Sequence, residues 1–195
     1  MKYISSINSK INKVVKKHKL YSLLDVAYFI LLLFGFHFVW KYWQNEFDFR
    51  FFTDKSIFIL VYKFLTHITF YTTDVFLAAI LEGHYYTENL TWYFDNGSSI
   101  EIVDGCSGLK AYIQFIIIIL FFPGPIKSKF WFIPTGVIIL FITNIIRVIG
   151  LDVIVYYFNS YWGIAHDHLQ KAFFYGVIFL LWVIWVEKFK NRRQQ

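Results

Sequence analysis

The feature that most constrains this chain is an apolar stretch that directly follows a run of lysines. Residues 1–20 carry six lysines and no acidic residue, and residues 21–40 carry Asp25 as their only charge. A helix of this length spans ~30 Å, the thickness of the hydrocarbon core of a bilayer. The stretch ends in Phe38, Val39 and Trp40 rather than at a small-residue cleavage site, so we predict an uncleaved membrane anchor.

The composition extends this prediction to the whole chain. Of 195 residues, 57% are hydrophobic and 16% are charged, against roughly 45–50% and 25% in soluble domains. One domain of this length cannot bury so much apolar surface in a single core. The single cysteine excludes an intrachain disulfide. We therefore predict an all-α polytopic membrane protein with a single membrane-embedded domain, residues 1–195.

Three more segments predict full transmembrane helices: residues 109–122, 130–150 and 172–186. Residues 51–81 are less regular, because charged and hydroxyl side chains interrupt an apolar run that is long enough to cross. We expect an amphipathic helix at the outer face there, which gives four full spans in total. A full fifth span, with the N-terminus outside, is the alternative.

The basic residues give the orientation. The loop after Pro125 and the C-terminal tail are rich in lysine and arginine, whereas residues 82–107 and 156–170 contain neither. Cytoplasmic segments carry the excess of positive charge. We therefore predict that both termini are cytoplasmic and that these two loops lie outside. The net charge of +6 is then an orientation signal, and no nucleic-acid partner is needed to explain it.

A β-hairpin is predicted between the second and third apolar segments, over residues 90–103. Two runs rich in aromatic and β-branched residues, 90–94 and 99–103, flank Asn96-Gly97, which is a strong turn signal. This hairpin leads the chain to its only cysteine and to the helical core and basic tail of residues 109–190.

Cys106 lies just before a predicted helix, between Gly105 and Gly108. The glycines let the backbone turn tightly, and the small Ser107 leaves room for a substrate. The positive end of a helix dipole favours a nucleophilic thiolate. The alternative is a buried cysteine that only fills space.

Arg147 lies inside the predicted span 130–150, three residues after Asn144. An arginine there costs roughly 2.5–3.5 kcal/mol on insertion scales, and such residues usually serve function. The spacing places Asn144 and Arg147 on one helical face, at the predicted outer end, level with Cys106. A guanidinium that only reaches the outer headgroups is the alternative.

His166-Asp167-His168 lies in the second predicted outer loop. Histidine is the usual general acid or base near neutral pH. Solvated loop histidines and a weak zinc site are the alternatives, and no further Cys/His cluster in the sequence supports the metal. A thiol, a guanidinium and an imidazole on one membrane face suit acyl transfer through a cysteine nucleophile. We expect no cofactor and no metal.

Three segments together resemble the signatures of the exosortase/archaeosortase family: Val103–Leu109, Asn144–Val148 and His166-Asp167. The short length is similar to the compact bacterial exosortases of Bacteroidetes. The resemblance implies a membrane cysteine transpeptidase with Cys106 as nucleophile, Arg147 as electrostatic partner and His166 as acid/base. His168 stays a second candidate for that last role, and the supporting candidates are Asn144, Ser107 and Asp167.

The resemblance also implies the partners. The substrates would be secreted proteins with a C-terminal sorting tail, made of a short motif, a hydrophobic span and a basic end. Cleavage would occur at the outer face of the cytoplasmic (inner) membrane, within the lipid bilayer, with transfer to a surface acceptor such as a lipid or glycan. The alternative function is a non-catalytic membrane subunit or transporter component in which Cys106 is structural.

Overall fold

The computed structural model describes residues 21–46, 57–166 and 170–190. The basic segment 1–20, the start of segment 51–81, and the candidates Asp167 and His168 lie outside the described residues. The chain forms two compact units, Met1–Asp48 and Phe49–Gln195. We describe each unit by itself.

The first unit contains helix α1, Tyr21–Glu46. Its segment Leu23–Tyr42 is 20 residues long and apolar enough to cross a membrane. Large apolar side chains such as Leu31 and Phe38 are exposed, as expected for a helix that contacts lipid. The predicted span 21–40 is thus confirmed as a helix of membrane-spanning length.

The described residues of the second unit contain four longer helices and a small sheet. The helices are α2 (Ile57–Leu81), α3 (Leu109–Phe121), α4 (Ile126–Phe158) and α5 (Gln170–Trp185). The strands are β1 (Tyr85–Glu88), β2 (Thr91–Phe94) and β3 (Ser99–Glu101). Short helical pieces complete the chain: a 3-10 helix at Asp104–Ser107, a 3-10 helix at Asn159–Tyr161, a turn at Trp162–Ile164 and a π-helical turn at Val186–Lys190.

Helices α2 and α4 run in the same direction. Thr69 in the middle of α2 meets Asn144 in α4, and the hairpin that follows α2 bonds to the end of α4, where the Asn96 side-chain amide donates to the Tyr156 carbonyl at 2.8 Å. The predicted span 130–150 is therefore part of a longer helix, whose last turns support the sheet.

Helices α3 and α5 run opposite to α4. Gly108, at the start of α3, lies beside Asn144, and the ring of Phe115 further along packs against the Gly136 backbone. In α5, Phe174 lies under Arg147, and the end of the helix packs on the start of α4. Helices that follow one another along the chain from α2 to α5 thus alternate in direction, and the sheet lies at one end of the bundle.

The prediction of four long apolar helices is confirmed, but their membership differs from the expectation. Besides α1, α4 and α5, the segment Ile59–Leu81 of α2 is long and apolar enough to cross a membrane, whereas α3 is a shorter apolar helix. The 13 residues of α3 extend only ~20 Å at 1.5 Å per residue. The helix that residues 57–81 form is instead long and apolar enough to cross, which fits the alternative of a further full span.

The reason lies in which face of α2 is buried. Thr66, Thr69 and Thr73 are at most 2% exposed and face the bundle, while apolar residues such as Leu60 and Val75 are about 70% exposed (68% and 71%). The polar stripe is thus the packed face and the apolar residues face outward. A helix surrounded by lipid has no need to hide its apolar side, and hydroxyl groups at helix contacts are common in membranes.

The predicted hairpin is confirmed. Strands β2 and β3 pair antiparallel, with Trp92 opposite Ile100, around a turn in which Gly97 has a φ of 82°. The sequence missed the edge strand β1, which pairs with β2 on the other side. One face of the sheet packs on α2 and α4, where the rings of Phe70 and Trp92 stack with centroids 4.4 Å apart.

Candidate active site around Cys106

Cys106 lies in a tight turn between the sheet and helix α3. Val103 is extended, and the backbone N–H of Cys106 donates to the Val103 carbonyl at 2.8 Å. Gly108 then takes a left-handed conformation with φ of 77°, which a glycine adopts without steric cost. The turn therefore presents Cys106 just before the first turn of α3. The thiol is free, and the residue is partly buried.

Helix α4 holds this turn through the backbone of Cys106. The Asn144 side-chain amide donates to the Cys106 carbonyl at 3.0 Å, and the Arg147 guanidinium donates to the same oxygen at 3.5 Å. Asn144 is fully buried and also reaches the Thr69 hydroxyl of α2 at 3.5 Å. Three residues that the sequence singled out thus lie together, at a junction of α2, α4 and the turn.

Arg147 is held by a ring as well as by hydrogen bonding. Its guanidinium carbon lies 5.2 Å from the centroid of the buried Phe174 ring, a cation–π distance. Its charge interacts with the side chains of Cys106 and Tyr112. The guanidinium is therefore directed at the cysteine turn, which does not fit an arginine that reaches out to lipid headgroups.

Ser107 has a local structural role. It is 1% exposed, and its hydroxyl accepts a hydrogen bond from the Leu109 backbone N–H at 3.3 Å. A hydroxyl in this position satisfies a free N–H at the start of a helix. Ser107 thus helps to fix where α3 begins, relative to Cys106.

The sequence missed two residues of this site, Gly108 as a packing residue and Tyr112. A Cβ atom on Gly108 would lie 2.6 Å from the Tyr112 hydroxyl oxygen and 3.2 Å from Cγ of Asn144. Tyr112 is 4% exposed. The sequence could have indicated Tyr112 by its position in the first turns of the helix that follows Cys106, because helical side chains lean toward the start of the helix.

His166 is the third predicted catalytic residue, and it sits at the end of the helical segment that follows α4. Its ring is exposed and stacks on Trp162, with centroids 5.0 Å apart. Trp162 and Cys106 pack against the same buried cluster, which includes Ala165. This places the imidazole at the sheet end of the bundle. Asp167 and His168 lie outside the described residues, so the choice between the two histidines stays open.

A second polar cluster joins α2 to the sheet. The Asp74 carboxylate accepts hydrogen bonds from the Tyr85 hydroxyl at 3.0 Å and from the Trp92 indole N–H at 2.9 Å. The pKa of Tyr85 is raised to about 12, and burial of the hydroxyl is the largest cause. The hydrogen bond to Asp74 and the charges of Asp74 and Asp152 contribute in the same direction. We refer to Asp74, Tyr85 and Trp92 as the Asp74 cluster.

Within the described part of the chain, no group of three or more His, Cys, Asp or Glu side chains could hold a metal ion. The described polar groups around Cys106 are its own thiol, a guanidinium, an amide and a phenol.

These observations define a helical, multi-pass membrane protein in which a lone thiol lies next to a guanidinium held inside the bundle. The family model described as transmembrane exosortase (Exosortase_EpsH) matches residues 9–184, and the chain belongs to this family. Neither a curated protein nor a solved structure matches the chain. The family assignment is thus confirmed, while the similarity to the Bacteroidetes type stays a prediction.

Proposed function

We propose that this exosortase-family protein is a cysteine transpeptidase or peptidase that processes C-terminal sorting tails, with Cys106 as its nucleophile. The observation that carries the proposal is the double contact from Asn144 and Arg147 to the Cys106 carbonyl. Two polar side chains of a membrane-spanning helix are expensive there, and both are directed at the turn that carries the only thiol. This arrangement serves a reacting cysteine better than a packing one.

The reaction follows from these groups. The Cys106 thiol gives its proton to an imidazole, and the thiolate sulfur bonds to the carbonyl carbon of the scissile peptide. The carbon–nitrogen bond then breaks, its electron pair stays on nitrogen, and the imidazolium returns the proton to the leaving amine. A thioester remains on Cys106. The amine or hydroxyl of an acceptor, or water, resolves it.

Arg147 and His166 take different parts in this cycle. The Arg147 guanidinium, which reaches the Cys106 carbonyl at 3.5 Å, favours the thiolate and the negative oxygen that forms on attack. His166 is the acid/base, and His168 is the second candidate for that role. Asn144 positions the turn through its hydrogen bond to the Cys106 carbonyl.

The proposed location is the outer face of the cytoplasmic (inner) membrane. Residues 82–107 and 156–166 form the sheet end of the bundle. The sequence has no lysine or arginine in residues 82–107 and 156–170, whereas the loop after Pro125 and the tail are basic. The alternating helices α2 to α5 return the chain to the side where α2 begins. The lysines of residues 1–20 predict a cytoplasmic N-terminus. A full crossing by residues 57–81 with the N-terminus outside is the alternative.

The proposed substrates are secreted proteins that end in a hydrophobic span and a basic tail. Such a span reaches the site sideways through the bilayer, so enzyme and substrate meet in the membrane plane. The basic end of the tail stays cytoplasmic for the same reason as the tail of this chain. A lipid or glycan at the cell surface would supply the acceptor group.

The test uses a secreted reporter that ends in the hydrophobic span and basic tail of a protein encoded next to this chain. We expect Cys106→Ala to lower the rate of reporter cleavage at least ~1,000-fold, because loss of a nucleophile leaves only binding and electrostatics. Arg147→Ala should have a similar effect. Cleavage is followed by the mass of the reporter, and detergent size-exclusion profiles check that each variant folds.

A matched pair of variants, His166→Ala and His168→Ala, identifies the acid/base as the histidine whose loss stops cleavage. Continued cleavage in Cys106→Ala or Arg147→Ala would overturn the mechanism. Full function in Cys106→Ser would instead support a structural cysteine in a non-catalytic subunit or transporter component.

A further inference from the structure

We propose that the hydroxyl of Tyr112 is a catalytic hydrogen-bond donor, which holds the negative oxygen that forms when Cys106 attacks the substrate carbonyl. The second donor to the same oxygen is the Nε–H of Arg147. This inference rests on the proposed function, because it needs Cys106 to be the nucleophile. It assigns a residue that the sequence motifs do not contain.

The position of Tyr112 follows from the turn before α3. Its backbone N–H donates to the Gly108 carbonyl at 3.1 Å. Tyr112 therefore lies one helical turn after Gly108, which itself follows Cys106 by two residues. Side chains of a helix lean toward its N-terminus. The Tyr112 ring accordingly folds back over Gly108, where a Cβ atom would lie 2.6 Å from the hydroxyl oxygen.

The polar atoms at this place are unsatisfied. Tyr112 Oη, Arg147 Nε and Asn144 Oδ1 are buried, and none has a hydrogen-bond partner among the residues that the structure describes. Buried polar groups are normally paired, because water no longer satisfies them. Two of these atoms carry donor hydrogens, the phenol O–H and the guanidinium Nε–H. An incoming carbonyl oxygen is the acceptor that both lack.

The two donors belong to one site. The Arg147 guanidinium donates to the Cys106 carbonyl at 3.5 Å, and the Tyr112 hydroxyl lies over Gly108, two residues after Cys106. Asn144 connects the same elements, since its side chain bonds to the Cys106 carbonyl and packs beside Gly108. Donors fixed before the reaction need no rearrangement when charge develops, and this is the basis of oxyanion stabilisation.

The step itself balances without any further reactant. As the sulfur–carbon bond forms, the π electrons of the carbonyl move to its oxygen, and Tyr112 and Arg147 donate hydrogen bonds to it. As the carbonyl re-forms, the carbon–nitrogen bond breaks and the leaving nitrogen takes its proton from the imidazolium. Tyr112 keeps its own proton throughout.

The decisive variant is Tyr112→Phe, which removes one oxygen atom and keeps the ring. With the tail-bearing reporter we expect kcat to fall about 100-fold and KM to change less than about three-fold, as for the loss of one oxyanion donor. The alkylation rate of Cys106 by iodoacetamide should stay unchanged, because this reaction forms no oxyanion. Tyr156→Phe, a second partly buried tyrosine of the bundle, is the control and should keep full activity.

A separate variant covers the case in which Tyr112→Phe does not accumulate. 3-Fluorotyrosine at position 112 keeps the shape of the side chain and makes the hydroxyl more acidic. We expect kcat to stay within about ten-fold of the wild-type value and KM to stay unchanged, because this side chain still donates the hydrogen bond that Tyr112→Phe lacks.

Unchanged kcat in Tyr112→Phe, or loss of cleavage with 3-fluorotyrosine, would overturn this inference, provided that Cys106→Ala is inactive. If Cys106→Ala still cleaves the reporter, the proposed function fails, and this inference fails with it. A loss of iodoacetamide reactivity in Tyr112→Phe would also count against it, because the tyrosine would then act on the thiol rather than on the oxyanion.

Discussion

The Asp74 cluster and the site around Cys106 differ in whether their polar groups are satisfied. In the Asp74 cluster, one carboxylate accepts hydrogen bonds from a phenol and an indole, at 3.0 and 2.9 Å. Around Cys106, a phenol, a guanidinium N–H and an amide oxygen are buried without partners among the described residues. Both lie between α2, α4 and the sheet end of the bundle, so depth alone does not explain the difference.

This difference indicates different roles for the Asp74 cluster and for the residues around Cys106. A satisfied cluster contributes stability, because its hydrogen bonds replace those with water and tie α2 to the sheet. Buried donors without partners reduce stability and persist only where another benefit compensates. The comparison therefore predicts that mutations around Cys106 reduce activity more than stability, and that mutations in the Asp74 cluster do the opposite.

Gly108→Ala should give the largest effect of the changes that test this contrast. The new Cβ atom would lie 2.6 Å from the Tyr112 hydroxyl oxygen, so the phenol and Asn144 must shift. We expect reporter cleavage to fall at least ~100-fold, since small displacements in a preorganised site carry costs of this size. Initial rates of reporter cleavage by the purified protein measure it.

Gly97→Ala is the matched control for that change. Gly97 has a φ of 82°, close to the 77° of Gly108, but a Cβ atom there would meet nothing within 4 Å. Both variants therefore carry similar backbone strain, and only one disturbs the site. Equal activity in the two variants would contradict the role given to Gly108.

Asp74→Ala tests the other side of the comparison. It removes the carboxylate that accepts from the indole of Trp92, which is fully buried, whereas the Tyr85 hydroxyl keeps a second acceptor, the Asp74 backbone carbonyl at 3.2 Å. An unsatisfied buried donor costs about 1–3 kcal/mol, so we expect the apparent Tm in detergent to fall by several degrees. The kcat for the reporter should stay within about three-fold, because Cys106 and Arg147 keep their contacts.

Asp74→Asn is the conservative control, since an amide oxygen still accepts a hydrogen bond. It should lose less thermal stability than Asp74→Ala. If Asp74→Ala instead stopped cleavage at an unchanged apparent Tm, the cluster would belong to the reaction and the contrast would fail.

The sequence predicted the parts of this structure that depend on local signals. Asn96-Gly97 between two β-rich runs predicted the hairpin, because that dipeptide adopts the turn with little strain. The spacing of Asn144 and Arg147 predicted their common face, since residues three apart are neighbours on a helix. Their approach to Cys106 followed from the charge-based orientation rather than from any local pattern.

The prediction from sequence was wrong for α2, because polar side chains there face the other helices rather than the outside. The threonines of α2 suggested a surface helix, yet Thr69 is fully buried and approaches Asn144. In a bilayer the apolar side chains tolerate exposure, so a polar stripe marks the packed face. Tyr112 was missed for another reason, because its place over Gly108 depends on the left-handed conformation of that glycine, which no local sequence pattern predicts.

The smallest expected effect is the pH dependence of the stability that Tyr85 contributes. It tests the hydrogen bonding of the Asp74 cluster. The pKa of Tyr85 is raised to about 12 in the folded protein, against ~10 for an unfolded tyrosine. Between these values the unfolded chain releases the proton first, so the stabilising contribution of Tyr85 is complete below pH ~10 and is lost as the pH rises toward 12. Tyr85→Phe should therefore be slightly less stable than the wild type at pH 8, and the gap in apparent Tm should close by about pH 12.

Tyr86→Phe, on the same strand with a 63% exposed ring, serves as the control for general alkaline effects. A gap that stays constant from pH 8 to 12 would show that the hydroxyl of Tyr85 does not need its proton, and the Asp74 cluster would then not be held by the hydrogen bond on which the comparison rests.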